Sequence, residues 1–370
     1  MMRKVVVIGA GPAGLAAGAC LKKLGIDAVI VERSNRIANT WNSHYKRLHL
    51  HTDRRNSGLP GLAMPSNYPR YPSRQQVVDY LQNYASSHEL EIRLNTEVEQ
   101  IVPGPPWTVE TNTSDIEAEN IVMCTGYATE PRLPEWSGQA GFPGQIEHSN
   151  AYFDAAPYRG ARVLVVGFGN SGGEIALDLA EAGVDVHLAV RGAVNVIPRE
   201  ILGIPILSIT VIEQWIPYRV ADKLNAPVIR LLIGNLGKLG LKTSDKGPMA
   251  QAIEDSRIPV LDVGTLAAIR SGKIQLQPGL RRFDGELITF TDGTSENYDA
   301  VILATGYTQD LRPLMARVKG ALDLDGRPKI CGQETQPGLY FINYHTVTTG
   351  QLRQCGIEAR AVAKAIANRT

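Results

Sequence analysis

The segment Val5-Val6-Val7-Ile8-Gly9-Ala10-Gly11-Pro12-Ala13-Gly14, followed by an Ala/Leu-rich run to Leu24, decides the fold. An apolar β-branched run ahead of glycines reads as a buried parallel strand. The run from Leu15 reads as a helix that Gly25 stops. Gly9 permits the tight turn, Gly11 lets the backbone approach a pyrophosphate, and Gly14 lets the helix pack on the strand. The helix N-terminus offers N–H groups and the positive end of its dipole to phosphate. A second strand, Ala28 to Val31, ends at Glu32, about twenty residues on, where a carboxylate can accept ribose hydroxyl protons. Glycines in this spacing are a weak signal alone. The strand before, the helix after and the acid at this distance make it a dinucleotide site.

The pattern recurs one domain length later. Val163 to Val166 precedes Gly167-Phe168-Gly169-Asn170-Ser171-Gly172-Gly173-Glu174, a helical run continues to Ala182, Gly183 ends it, and a strand follows over Val184 to Val190. Val190 stands where Glu32 stands in the first unit, with Arg191 next. Replacing the acid by an arginine favours a ribose bearing a 2′-phosphate, so NADP(H) over NAD(H); a solvated strand end is the plainer reading of Arg191. Two sugar-reading ends imply two different nucleotides. Ile121 to Cys124 ahead of Thr125-Gly126, and Val301 to Ala304 ahead of Thr305-Gly306, each read as a strand ending in a Thr-Gly loop. The expected fold class is α/β, with two Rossmann-like dinucleotide-binding domains, the second inserted into the first. The expected boundaries are 1–157 with 299–370 for the outer domain and 158–298 for the inserted one. Asp292-Gly293 predicts a hairpin between Leu287–Thr291 and Tyr298–Leu303, and Gly356 to Asn368 reads as a final helix on the first sheet. The stretch 201–258 is longer than a connection in such a domain needs. It reads as a lid over substrate access or, equally, as a helical hairpin packed on the second sheet.

Composition bounds the rest. In 370 residues, Lys+Arg at 38 nearly cancels Asp+Glu at 37, so no global field draws the chain to nucleic acid or anionic lipid. Hydrophobic residues at 44% and charged residues at 20% are ordinary globular usage, and 36 glycines with 22 prolines point to many turns. Four scattered cysteines, Cys20, Cys124, Cys331 and Cys355, form no C-x-x-C, which excludes a zinc ribbon or a dithiol redox centre and suits a reducing compartment. The apolar N-terminal run is broken by glycines and Pro12 and lacks a cleavage site. No run of 18 apolar residues exists, so a cytoplasmic chain without a transmembrane segment is expected. His49 and His51 share one strand face but have no Cys, His or carboxylate cluster beside them, so no metal site is expected.

The chain resembles the class B flavin-dependent monooxygenases of the flavin-containing monooxygenase group. Phe142-x-Gly144-x-x-x-His148-x-x-x-Tyr152 matches the group's linking motif, and Tyr152-Phe153 in place of Trp-Pro separates it from the Baeyer–Villiger enzymes. It is more specifically similar to the YUCCA-type branch, which includes indole-3-pyruvate monooxygenases. The matching blocks are Tyr45-Lys46-Arg47-Leu48-His49-Leu50, Tyr71-Pro72-x-x-Gln75-Gln76-x-x-x-Tyr80-Leu81, Gly169 to Gly172, Pro198 to Gly203 and Pro259 to Leu266. These span nearly the whole chain in order, and the last two are the most specific. The resemblance implies FAD on Gly9, Ala10, Gly11, Pro12, Ala13, Gly14, Glu32 and Arg33, with Thr40 and Trp41 closing over the flavin; simple core packing is the other reading of Trp41. It implies NADPH on Gly167, Gly169, Asn170, Ser171, Gly172, Gly173, Glu174 and Arg191. Thr125, Gly126, Thr305 and Gly306 complete the loops. His51 and Thr52 stand where many of the group place an asparagine beside the flavin. The implied chemistry forms a C4a-(hydro)peroxyflavin from molecular oxygen and oxygenates a small molecule. A 2-oxo acid such as indole-3-pyruvate comes first, with loss of carbon dioxide; a soft amine or sulfide, or a non-oxygenating flavin reductase, is the alternative. No catalytic side chain is assigned.

Overall fold

In the computed structural model, which describes residues 2–128, 130–213 and 215–369, the chain divides into two units. Unit one holds Met1–Asn42, Thr52–Glu130 and Tyr307–Thr370; unit two holds Ser43–His51 and Pro131–Gly306. These boundaries differ from the expected 157/158 and 298/299. The cause is strand pairing: Ala300–Leu303 runs parallel to both Gln145–His148 and Arg162–Val166, which puts all three in the second sheet. The Thr-Gly strand at 301–304 therefore does not return to the first sheet.

In unit one, β1 (Arg3–Ile8), β2 (Ala28–Val31) and β3 (Ile92–Arg93) run parallel in that order. β4 (Val98–Val102) and β5 (Trp107–Thr111) form an antiparallel ribbon leading into β6 (Ile116–Met123), which lies parallel on the other side of β1. Leu339–Phe341 continues the parallel sheet beyond β6. Val5, Val6 and Val7 are wholly buried, as a strand covered on both faces requires. Strand order reverses at β1, and the crevice at the carboxyl end of such a strand is where open α/β sheets bind ligands. α1 (Pro12–Lys23) leaves that point with Pro12 in its first turn, where a missing N–H costs nothing.

The C-terminal helix, Gln351–Ala367, lies against α1 and begins five residues before the expected Gly356. Gly350, at φ 99°, is the residue that ends the preceding loop, whereas Gly356 sits inside the helix. There a Cβ would stand 3.1 Å from Pro60 Cδ, so this glycine marks close packing, not a helix start. α2 (Asn39–Ser43) buries nothing. α3 (Arg74–Ser87) opens with a reciprocal Ser73–Gln76 capping box, and the Tyr80 and Tyr84 hydroxyls bond the backbone of 59–62. The branch block over 71–81 is thus a structural brace.

Unit two repeats the plan. Its parallel sheet runs Ile274–Gln277, Asp185–Ala189, Arg162–Val166, Ala300–Leu303, Gln145–His148, with the order again reversing at the strand that feeds the glycines. α4 (Asn170–Glu181) follows those glycines. The Asp292-Gly293 hairpin forms between Leu287–Phe290 and Ser295–Asn297, a shorter partner than the expected 298–303. The stretch 201–258 contains α5 (Ile206–Glu213), α6 (Tyr218–Ile233) and α7 (Pro248–Glu254). Pro227 lies inside α6. Ile206 packs on Ile197 and Leu261, and Ile233, Leu236 and Leu241 enter the core of unit two. Among the described residues, no helix is long and apolar enough to cross a membrane.

Candidate cofactor-binding sites

The two glycine turns share one geometry. Gly9 and Gly167 have φ of 107° and 109°, the left-handed region that only glycine enters freely. A Cβ on Gly9 would lie 2.6 Å from the Cys124 carbonyl oxygen, and one on Gly167 would lie 2.5 Å from that of Ala304. At the third glycine the crowding is worse: a Cβ on Gly14 would sit 1.8 Å from Gly9 O, and one on Gly172 1.9 Å from Gly167 O. The middle glycines differ in kind. A Cβ on Gly11 or Gly169 would meet no protein atom within 4 Å. Each turn is therefore closed against its own strand and helix and open at one backbone position, at the N-terminus of a helix with no side-chain cap. A pyrophosphate needs that combination: N–H groups without partners, a favourable dipole and room for its oxygens. Both cradles fit a dinucleotide.

The sugar-reading ends then separate them. Glu32 accepts the Ala10 N–H at 2.8 Å through one oxygen, and the Ser34 N–H at 3.0 Å and hydroxyl at 2.7 Å through the other. A carboxylate offers about four lone-pair sites, so the first oxygen keeps one for a ribose hydroxyl. Arg33 is exposed beside it. In unit two, Arg191 follows its strand and is exposed, with its stem against Gly279 and no ion-pair partner among the described residues. An unpaired guanidinium at this place suits a 2′-phosphate.

The remaining residues fall into place unevenly. The Tyr344 hydroxyl stands 2.7 Å from Thr125 Oγ1 and accepts the Thr125 N–H at 3.0 Å, which fixes this loop and leaves Gly126, at φ 85°, facing open space. Thr305 Oγ1 donates to the Arg132 carbonyl at 2.5 Å, and Gly306, at φ 82°, is equally open. Thr40 is exposed and Trp41 half-buried. Thr52 is buried in unit one, its hydroxyl 2.7 Å from Ser57 Oγ and its methyl where a Cβ on Gly350 would lie.

His51 belongs to unit two, and the next residue, Thr52, to unit one. The His51 Nε2 lies 2.6 Å from Glu174 Oε1. Glu174 is buried, and one oxygen of its carboxylate meets that imidazole. Asn170 is likewise engaged: its amide accepts the Leu261 N–H at 2.8 Å and donates to the Pro259 carbonyl at 3.3 Å. Ser171 and Gly173 stand in the first turn of α4, where Gly173 keeps clear of the Phe168 ring. Within unit one, Ala10 and Ala13 are buried against the turn.

Sequence reading missed the convergence of the branch blocks. The strand Val196–Pro198, entering the Pro198 block, pairs in parallel with Val260–Asp262 from the Pro259 block. Asn170 ties that pair to the start of α4, and Arg199 donates to the Leu50 carbonyl at 3.1 Å. Four blocks scattered from 45 to 266 thus assemble around the second cradle. The linking motif is a clasp inside the same unit. Phe142 packs edge-on against Phe283 with centroids 5.5 Å apart. A Cβ on Gly144 would meet Asp299 O at 2.1 Å, and the Tyr152 hydroxyl donates to Asp178 at 2.6 Å. His148 Nε2 lies 3.0 Å from the Gly306 carbonyl, which can only accept, so that nitrogen carries the proton and Nδ1 accepts the Asn150 N–H.

Burial raises the pKa of all four thiols and so disfavours the thiolate. It pushes Cys331 up to about 12 and Cys355 well above the ordinary thiol range. No group of three or more metal-ligating side chains forms among the described residues.

Comparison with known proteins gives three findings. Residues 6–199 match the family model described as pyridine nucleotide-disulphide oxidoreductase. The indole-3-pyruvate monooxygenase YUCCA6 of Arabidopsis thaliana is 36% identical over 375 residues, covering 98% of this chain and 89% of its own length. Among solved structures, the flavin-containing monooxygenase of Stenotrophomonas maltophilia superposes with a TM-score of 0.74 at 22% identity, covering 100% of this chain and 99% of its own. The bacillithiol disulfide reductase of Bacillus cereus superposes with a TM-score of 0.73 at 20% identity over 100% of both chains, so the fold is shared beyond oxygenases.

Proposed function

The chain belongs to the pyridine nucleotide-disulphide oxidoreductase family and, within it, to the YUCCA-type flavin monooxygenases; from that premise we propose that it is an FAD- and NADPH-dependent monooxygenase of a small 2-oxo acid of the indole-3-pyruvate class. The observation that carries the cofactor pair is the twin cradle with unlike sugar-reading ends, a carboxylate at Glu32 with one lone pair left and an unpaired guanidinium at Arg191. The substrate class is supported by identity over 98% of the chain to a protein named for that substrate, and by the branch blocks gathering around one cradle.

The chain's own part is binding and orientation. Backbone N–H groups at Gly11 and the start of α1 hold the first pyrophosphate, and the free lone pair of Glu32 selects its ribose. Gly169 and the start of α4 hold the second, and Arg191 selects its 2′-phosphate. Tyr344 fixes the Thr125 loop and His148 the Gly306 loop, so both walls are set before a ligand arrives. Bound FAD, reduced by NADPH, supplies two-electron activation of molecular oxygen. The net reaction then takes one 2-oxo acid, one oxygen molecule, one NADPH and one proton to the acid shortened by one carbon, carbon dioxide, NADP+ and water.

Purified protein given NADPH, 18O2 and indole-3-pyruvate should yield the shortened acid carrying one labelled oxygen, with one carbon dioxide per NADPH. Oxygenation of a thioether or tertiary amine with the 2-oxo acid untouched would move the reading to heteroatom oxygenation. Diversion of all NADPH to hydrogen peroxide with both substrates would overturn the substrate class and leave the cofactors standing.

A further inference from the structure

Helix α6 has three sides. Ala221, Asn225, Ile229 and Ile233 turn toward unit two: Ala221 and Ile233 are buried, and Ile229 packs against its core. Val220, Leu224, Val228 and Leu231 follow at intervals of four, four and three, so they share one side, and that side is open to solvent. Lys223 and Arg230 lie between, along one border of the apolar stripe. Leu231 on this side is 82% exposed, and the segment before the helix exposes further large apolar side chains: Trp215 86% at the turn before α6, Ile212 73% at the end of α5, and Leu202 96% ahead of it. A helix pointing one apolar face inward and a second outward has found only half its partners.

Charge says what the other partner is. From 201 to 242 the bases are Arg219, Lys223, Arg230, Lys238 and Lys242, and the acids are Glu213 and Asp222. Both acids are used internally: Glu213 accepts from Asn225, and Asp222 accepts the Met249 and Ala250 N–H groups at the start of α7. Arg219 pairs with Glu254, but Lys223, Arg230, Lys238 and Lys242 have no ion-pair partner among the described residues. The nearly neutral chain therefore carries a cationic excess in the segment that bears this exposed apolar stripe. Two copies of this face would bring like charges together. We propose that α5 and α6 form an interfacial anchor for an anionic lipid bilayer, with Leu224, Leu231 and Trp215 seated at the headgroup boundary and the lysines on lipid phosphates. An arrangement along the surface also suits a chain whose described helices are too short or too polar to span.

The test uses the full flavin-loaded chain and needs no turnover. Co-sedimentation with vesicles of mixed phosphatidylcholine and phosphatidylglycerol should exceed that with phosphatidylcholine alone about tenfold at low salt and weaken as salt is added. L224E/L231E should lose about tenfold or more of that binding while keeping its Tm, since both positions are exposed. K223E/R230E should abolish the preference for phosphatidylglycerol. L324E, at a leucine 95% exposed in unit one, is the control and should bind like wild type. Absence of wild-type binding, or equal losses in L324E, overturns the proposal. So does self-association that L224E/L231E abolishes without any vesicle binding, which makes the face a contact between copies. Altered substrate preference in L224E/L231E with vesicle binding unchanged makes the segment an access lid and likewise overturns it.

Discussion

Gly11→Ala is the perturbation that separates a ligand cradle from a mere tight turn. At φ −82° the backbone of Gly11 suits any residue, and the added Cβ would meet no protein atom within 4 Å. The apoprotein should therefore keep its Tm. If a pyrophosphate lies there, its oxygens must sit about 3 Å from the N–H groups of α1, within the volume the methyl takes. Displacing it breaks at least one charge-assisted hydrogen bond, worth about 1.5–3 kcal/mol, or roughly ten- to over hundredfold in affinity. Gly169→Ala, at φ −105° and equally open, should do the same to the second nucleotide alone. Gly14→Ala is the contrast, because its Cβ falls 1.8 Å from backbone and the fold itself must give. Flavin absorbance per protein and titration of apoprotein with FAD read the first site; calorimetry with NADP+ reads the second. Gly11→Ala protein with native flavin content and affinity would refute the cradle. Loss of both nucleotides in both variants would mean that the turns act through folding.

Arg191→Ala should raise KM for NADPH about ten- to hundredfold while leaving NADH kinetics unchanged; an unaltered NADPH/NADH ratio would return Arg191 to a solvated strand end. His51→Ala leaves the buried Glu174 carboxylate without its hydrogen-bond partner, costing about 1.5–3 kcal/mol. His51→Ala/Glu174→Gln should recover most of the lost Tm, and failure of that rescue would show that the pair is not coupled. His187 is wholly buried beside the Arg162 guanidinium, and both effects hold its pKa below the usual 6.5. Its contribution to stability is complete above pH 6.5 and is lost as pH falls through the lowered folded value, since the unfolded imidazole binds its proton first. The Tm gap between wild type and His187→Asn should thus narrow between pH 7.5 and 5; a constant gap would exclude the linkage.

Both dinucleotide turns were legible because their physics is local. Strand, glycines and helix start within a dozen residues, and the steric need for Gly9, Gly14, Gly167 and Gly172 is met by atoms of the same turn or the adjoining strand. The sugar-reading ends were legible for the same reason, since the residue closing the second strand is set by register. What chain order could not show is partner choice across long separations. Ala300–Leu303 is apolar enough for either sheet, and only its pairing with Arg162–Val166 and Gln145–His148 assigned it to the second, moving both domain boundaries. His51 meets Glu174 across more than a hundred residues, a pairing that nothing in chain order announces. Asn170 reads as a ligand group in its motif, and only the fold shows its side-chain amide also bonded to Pro259 and Leu261. The outward face of α6 was hidden too, because periodicity counts apolar positions and only packing tells which of two stripes is covered. Local backbone geometry is written in adjacent residues; which surfaces and polar groups are left over is decided only when distant segments compete for the same partners.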